Sequence, residues 1–576
     1  MYDLLVTGGT VVDGSGAPAR RADVAVRDGR VVAVGDCDEP AARRIDAQGL
    51  YVTPGFVDLH THYDAQLSWD PSASPSPLHG VTTVIGGNCG FSLAPAGAAH
   101  ADYLARLMAR VEGMPLASLE CLDWTWNTFG EWLAPLEGKV GVNAGFLVGH
   151  SALRRAVLGE SATDGPATPD QVDAMVRLLH ASLDDGALGF STSNAPTHHD
   201  GDGAPVPSRL AARDELEALA AAVAPHPGTT LELIVPGCLN GFSDDEVELM
   251  ATLSLLAGRP ANWNVLGVSA MNPDGTAHQL AASDAAAARG AKVVALTLPH
   301  TMKLRLSFLT GAILDGLPGW SELFALPPPE RIAALADDSW RRRLDEQARS
   351  PEAGILGALA RWENLVFDEV FAPQNADFEG RSVGEVAART GRDPFDTMCD
   401  VVVADELRTG LRPPIPESEA DWEARAKVWL DPRAVVGGSD AGAHLDVMCG
   451  AVYSTALLGE GVRRRGLLSW EQAVRELTDV PARLYGLRGR GRIEPGWWAD
   501  LVLLDPDNVG PRPERTRADL PGGAQRLYAE ADGIEAVFVN GTEVVTDGVF
   551  TGEQPGALLR SGRDTDTVAV PGASGG

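Results

Sequence analysis

Positive charge is scarce in this sequence. Its 47 basic residues face 79 acidic ones, a formal net charge of −32, and lysine is rarer than arginine. Holding nucleic-acid phosphates takes clustered Lys and Arg, so this balance excludes that partner and favours solubility. Cysteine is also sparse. Six residues, at 37, 89, 121, 238, 399 and 449, lack paired spacing, which excludes a disulfide framework and leads us to expect free thiols in the cytoplasm. No uncharged run nears the ~20 residues that span a bilayer, so no membrane partner is expected. The start, Met1-Tyr-Asp-Leu-Leu-Val-Thr-Gly-Gly, has an acid where a signal peptide would be basic and reads as a strand and turn.

What remains is an apolar content of 44% over 576 residues, enough for one large domain and a smaller companion. Residues 1–52 alternate short β-type runs with Gly and Asp-Gly turns, too little to form a stable core alone. The missing strands are expected from 486–550, where Leu501–Asp505 and an Asn540-Gly541 hairpin complete a β-sandwich built from both termini. Between them, 53–485 alternate apolar β-type runs with Ala- and Leu-rich helical segments, the pattern of a parallel α/β fold. Eight candidate strands are visible: Phe56–His60, Val81–Ile85, Asn143–Gly149, Ala187–Thr192, Thr229–Val235, Asn262–Leu266, Lys292–Leu298 and Val435–Asp440. Eight closes a (β/α)8 barrel of TIM type. Residues 299–434 are too long for a simple connection and are expected to form a helical insertion over the barrel mouth. The tail, 551–576, turns to Gly, Ser, Pro, Asp and Thr and is expected to be flexible.

Chemistry concentrates at the strand ends. His60 and His62, one residue apart after the apolar run Phe56–Leu59, can aim both imidazoles at one point. A bare pair could equally be two unrelated histidines in a turn. Context favours a metal clamp, because Cys89 follows the second strand and Asp440 ends the eighth, and a thiolate, two imidazoles and a carboxylate suit Zn²⁺ better than Mg²⁺ or Ca²⁺. Other strand ends offer His150, Thr192 to Asn194, Glu232, Asn264 and His300. His198-His199, in an Asp/Gly-rich loop, reads as a solvated pair on a loop that can reach the mouth. The Trp124, Trp126, Phe129 and Trp132 group reads as packing, and Gly437-Gly-Ser-Asp-Ala-Gly442 lacks the Lys-Ser/Thr of a phosphate loop.

The segments His60-Thr-His62, Gly87-Asn-Cys-Gly90, Gly149-His-Ser-Ala-Leu-Arg154, Gly186-Ala-Leu-Gly-Phe-Ser-Thr192 and Gly438-Ser-Asp440 together resemble the amidohydrolase superfamily, specifically its N-acyl-D-amino-acid deacylase branch, over nearly the whole chain. The resemblance implies a metal-bearing barrel plus the terminal sandwich, with Cys89 as a metal ligand. It also marks departures. Where members of that branch carry metal-binding histidines on the fifth and sixth strands, this chain reads Thr229-Thr-Leu-Glu-Leu-Ile-Val and Pro260-Ala-Asn-Trp-Asn-Val-Leu; where they carry a seventh-strand tyrosine, it has Leu298-Pro-His-Thr301. The expectation is therefore one Zn²⁺ on His60, His62, Cys89 and Asp440. Glu232, Asn264 and His444 are left for a second metal or the substrate.

The expected activity is hydrolysis of a non-peptide amide in a small N-acyl substrate. Asp440 would serve as general acid/base towards a water activated by the metal, and His150 or His300 as oxyanion donor. Two alternatives stay open. One keeps the site but opens a cyclic amide or a lactone, which the lack of a strand-end lysine disfavours; the other is a non-catalytic barrel used for binding or assembly. The acyl group and the oligomeric state are not readable, and a homo-oligomer is among the options.

Overall fold

The chain's two ends share one sandwich. In this computed structural model, which describes residues 1–415 and 417–572, one sheet has the order Arg30–Gly35, Asp23–Arg27, Tyr2–Thr7, Ala41–Asp46. The facing seven-stranded sheet places Leu501–Leu504 between Ile534–Val539 and Tyr51–Pro54. Leu4, Val6, Val24, Val26, Val52, Leu501, Leu503 and Phe538 meet between the two layers. Neither end of the chain can bury these side chains without the other. The strand Ala41–Asp46 has no apolar alternation, since its exposed Arg43 and Arg44 protect a sheet edge.

At Gly55, whose N–H donates to the Asp500 carbonyl (2.9 Å), the chain leaves the sandwich for the barrel. The parallel strands are Phe56–Asp58, Val81–Gly86, Asn143–Phe146 continuing as Val148–Gly149, Gly189–Ser193, Thr230–Ile234, Ala261–Leu266, Val293–Thr297 and Ala434–Val436. Nearly every position in them is buried, as expected of strands covered on both faces. The eighth strand is shorter than its sequence suggests. Beyond it the loop returns to the first strand, where Asp440 N–H donates to His60 O (3.1 Å) and His62 N–H to Ala441 O (2.8 Å). Helices Pro169–Asp184 and Arg213–Val223 follow the third and fourth strands as crossover connections. Trp132 packs edge-on against Phe146 of the third strand, 4.7 Å between ring centroids. No helix among the described residues is long and apolar enough to cross a membrane.

Two regions depart from expectation. The 299–434 insertion is not purely helical: Leu306–Ser307, Gly410–Arg412 and Val366–Glu369 form a small antiparallel sheet over a separate core of Phe308, Trp320, Trp362, Phe367 and Phe395. Strands of two to four residues carry too little period to be read from sequence. Its last helix, Glu419–Trp429, belongs to the barrel, where Trp422 and Trp429 join the main core. The insertion is tied to the mouth by Arg305 N–H donating to Val447 O (2.7 Å).

The tail is the second correction. Residues 551–572 form a strap along the barrel base: Ala144 N–H donates to Ala557 O, Leu559 N–H to Ala144 O, Ser561 N–H to Gly186 O, and Gly572 N–H to Gly290 O. Its composition suggested flexibility, but its backbone groups are satisfied by strand-entry loops and Leu558, Leu559 and Val570 are buried. The rest of the expected flexible segment, 573–576, lies outside the described residues.

A buried polar network fastens the sandwich to the barrel. Asp500 pairs with Arg490, accepts from Asn143 Nδ2 (3.2 Å) and from the Asn540 N–H (2.8 Å), and Asn540 Nδ2 donates to Asn143 Oδ1 (2.9 Å). Removing one member of a buried, hydrogen-bonded ion pair strands the other, at about 3–5 kcal/mol. Asp500→Ala should therefore lower the urea midpoint strongly, whereas an exposed pair such as Arg106–Asp102, cut by Asp102→Ala, should change it by less than about 1 kcal/mol. Equal midpoints for the two variants would contradict the role given to this network.

Candidate metal centre

The first strand ends at Asp58, and the two following histidines project beyond it into the barrel mouth. Asn88 explains why the second strand ends in Gly87-Asn-Cys-Gly90. Its side-chain amide donates to the carbonyls of Ile85 (2.9 Å) and Thr61 (3.2 Å), clamping both strand ends together. A Cβ on Gly87 (φ +73°) would lie 2.1 Å from Leu147 O, so only glycine lets the turn pack against the third strand. This turn holds Cys89 at φ +57°, and Asp440 (+54°) and His444 (+51°) share that unfavourable conformation. Non-glycine residues in this region cluster where function holds them.

Four side chains converge. Cys89 Sγ lies 3.2 Å from His60 Nε2 and 3.8 Å from His62 Nε2, and Asp440 Oδ1 lies 3.1 and 3.7 Å from the same two nitrogens. Two donors tetrahedrally disposed on one Zn²⁺, with bonds of about 2.0–2.3 Å, stand roughly 3.3–3.6 Å apart. The donor atoms of His60, His62 and Cys89 all fall within 4.8 Å of one another, and all three residues are buried. A fifth group is present that the sequence reading missed: Glu112 Oε2 is 3.4 Å from His62 Nε2.

The charges make the case for a cation. Cys89, Glu112, Glu232 and Asp440 crowd two imidazoles, and among the described residues no lysine or arginine forms an ion pair with any of the carboxylates. Burial, together with the Glu232 carboxylate, lifts the Cys89 thiol well above its usual range. Burial also pushes Glu232 up to about 8. For His62, burial works downwards but is outweighed by Glu112 and Asp440, which raise it to about 9. Asp440 is held well below the ordinary carboxylate range, burial being outweighed by hydrogen bonds from both imidazoles. Buried acids without a protein counter-ion are stabilised by a metal, and a soft sulfur, two nitrogens and an oxygen fit Zn²⁺.

The other expected residues divide. Glu232 and Asn264 border the cluster: Glu232 Oε2 accepts the Cys89 N–H (2.9 Å), its Oε1 faces His60 Nδ1 at 3.9 Å, and Asn264 Nδ2 lies 3.4 Å from His60 Nε2. His444 enters through its backbone, donating to Glu112 O (2.5 Å). His150 is not available as an oxyanion donor. Its Nδ1 and Nε2 are each 2.8 Å from Thr192 Oγ1 and Glu215 Oε1, and Glu215 is shared with the buried Arg154, so the ring is fixed in a structural network. His300 lines a cavity of about 600 Å³ beside the seventh and eighth strands, with Lys303, Trp422, Arg463 and Glu514; none of the four converging side chains lines it. His198, expected to be solvated, is instead held inward. Its Nδ1 bonds Ser193 Oγ (2.8 Å), its ring packs on Phe91, and it feels the charges of His444, His62 and Asp440.

Residues 43–545 match the amidohydrolase family. The chain belongs to it. Within this family it falls in the N-acyl-D-amino-acid deacylase branch, hydrolases of carbon–nitrogen bonds other than peptide bonds. It is 31% identical to the N-acyl-D-glutamate deacylase of Alcaligenes xylosoxydans xylosoxydans over 591 residues, covering 99% of this chain and 98% of that one. The D-aminoacylase of the same organism is 29% identical over 567 residues, 97% of each chain. A D-aminoacylase crystal structure superposes with a TM-score of 0.64 at 28% identity, covering 97% of this chain and all of the other. D-aminoacylase has been described as having a binuclear metal centre with one-metal activation and second-metal attenuation. The Bordetella bronchiseptica N-acyl-D-glutamate deacylase, complexed with zinc and a phosphonate mimic of the tetrahedral intermediate, superposes at 0.63 with 26% identity over 97% of this chain and 99% of that one.

In this amidohydrolase, Cys89→Ser replaces a soft ligand by a hard one with little change in volume. It should fold normally yet bind Zn²⁺ about 10–100-fold more weakly or worse, judging from the cost of even indirect changes around such metals. Chelator competition measures this, and an unchanged dissociation constant would remove Cys89 from the ligand set.

Proposed function

We propose that this protein hydrolyses the amide bond of an N-acyl-D-amino acid, using one zinc ion held by His60, His62, Cys89 and Asp440. The convergence of these four side chains at the barrel mouth carries the reading. The names of the relatives support the substrate class. A single metal is supported by the fifth and sixth strands, Thr230–Ile234 and Ala261–Leu266, which carry Glu232 and Asn264 and no histidine. One Glu232 oxygen accepts the Cys89 N–H and so braces the turn that presents the thiol, while the other stands 3.9 Å from His60 Nδ1, beyond hydrogen-bond reach.

When bound, such a metal acts as a Lewis acid that polarises the scissile carbonyl and makes water nucleophilic at neutral pH. The remaining work falls to the protein. Asp440, whose carboxylate stands beside both ligand imidazoles, would accept the proton of the attacking water and return it to the leaving nitrogen. His198 replaces His150 and His300 as the donor for the developing oxyanion, because its ring is held inward by Ser193 and Phe91 and lies near enough to His62 and Asp440 to feel their charge. His60, His62 and Cys89 are buried, and the Arg305–Val447 backbone bond ties the insertion to the loop carrying His444.

Asp440→Asn removes the base while leaving an oxygen donor in place. Zn²⁺ content should stay near that of the wild type, and kcat towards N-acyl-D-amino acids should fall by about 10²–10⁴. Near-normal turnover in a metal-loaded Asp440→Asn variant would refute this role. Absence of turnover by the zinc-loaded wild type across acidic and neutral N-acyl-D-amino acids would refute the substrate class.

A further inference from the structure

Glu112 lies outside the barrel pattern altogether. It follows the helix Ala101–Val111, whose buried Tyr103, Leu104, Leu107 and Met108 fix one face in the main core, and caps that helix by donating its N–H to Met108 O (3.0 Å). The next residue, Gly113 (φ +58°), turns the chain sharply; a Cβ there would lie 3.0 Å from His444 Cα. The loop after the eighth strand is thereby pressed onto this helix end, and His444 N–H donates to Glu112 O (2.5 Å). The result is a carboxylate only 2% exposed, directed at the barrel mouth by a rigid helix end.

Its only ion-pair partner among the described residues is His62, and the contact is with Nε2 (3.4 Å). That choice of atom decides the role. Nε2 is the nitrogen that also faces Asp440 Oδ1 and Cys89 Sγ, so it points at the metal position. An imidazole nitrogen offers a single direction of bonding in the ring plane. A carboxylate that merely oriented His62 would sit on Nδ1, yet Nδ1 is buried with no hydrogen-bond partner. The 3.4 Å separation from Nε2 is close to the roughly 3.3 Å between nitrogen and oxygen donors sharing one Zn²⁺, and Glu112 stands outside the mutual 4.8 Å set of His60, His62 and Cys89, so its approach is from the His62 side alone.

We infer that Glu112 is a ligand of the metal, supplied by a helix outside the barrel and entering from the His62 side. The inference rests on the zinc site proposed above and adds a donor to it. A carboxylate here would compensate for the histidines absent from the fifth and sixth strands. It also couples metal binding to the His444 loop, because one residue contacts the ligand histidine through its side chain and that loop through its carbonyl.

The test uses the full-length protein loaded with Zn²⁺ or Co²⁺, comparing wild type, Glu112→Gln, Glu112→Asp and Cys89→Ser. Gln preserves shape and the backbone bond to His444 while removing the charge. Glu112→Gln should bind Zn²⁺ at least about 10-fold more weakly by chelator competition, judged against the cost of even indirect changes at such sites, and should shift the visible d–d bands of the Co²⁺ protein. Glu112→Asp should recover part of the affinity and keeps the question answerable if the Gln variant does not fold. A group acting only on His62 orientation would alter affinity without moving the Co²⁺ bands, and that result overturns the assignment. So does unchanged affinity in Glu112→Gln when Cys89→Ser is weakened, and this removes Glu112 alone. If the wild type takes up no metal, or Cys89→Ser matches it, the zinc site itself falls and Glu112 with it.

Discussion

A cluster of acidic groups buried without basic partners is the constraint on which this structure turns. Each of Cys89, Glu112, Glu232 and Asp440 is costly to bury in ionised form, and the two imidazoles can offset only part of that cost. In the absence of a metal the protein side chains respond by shifting their proton affinities in opposing directions, carboxylate and thiol upwards where burial dominates, Asp440 downwards where both histidines reach it. A divalent ion removes the conflict at one point. Metal binding should consequently be linked to proton release from Cys89 and the imidazoles.

The rest of the fold separates this unfavourable arrangement from the parts that keep the protein folded. At the mouth, Cys89, Asp440 and His444 occupy strained backbone conformations, and the insertion reaches over from a core of its own. At the base, the 551–572 strap satisfies the backbone of the loops entering the third, fourth and seventh strands, and the Arg490–Asp500–Asn540–Asn143 network locks the sandwich beneath the second and third strands. This is the division of labour usual for barrels, in which one end holds the stability and the other the chemistry. Here it is reinforced by the C-terminal segment, which leaves the sandwich only to return along the barrel base.

Legibility from sequence followed the same division, for physical reasons. His60, His62, Cys89 and Asp440 could be found because strand ends impose a fixed direction on their side chains and because glycines and apolar runs mark those ends. Glu112 could not, since nothing in Arg110-Val-Glu-Gly113 announces which way a helix terminus will point; the tertiary packing of Tyr103 and Met108 decides that. His150 misled because proximity to a strand end says nothing about which partners claim its two nitrogens, and Glu215 and Thr192, 65 and 42 residues away in sequence, claim both. The tail misled in the opposite sense, its polar composition hiding backbone bonds that only the assembled base can offer.

The changed fifth and sixth strands give this member of the family its individual character. Those strands carry Glu232 and Asn264, which keep polar contact with Cys89 and His60. If only those positions had changed, the ion would be bound by one wall of the barrel and left exposed towards the opposite side. With Glu112 as a ligand, a carboxylate from the 101–113 segment, bonded through its backbone to the His444 loop, would supply a donor beside His62 instead. The loop that Glu112 holds through its backbone also carries Asp440, so one contact ties the end of the 101–111 helix to the place of that carboxylate beside the two imidazoles.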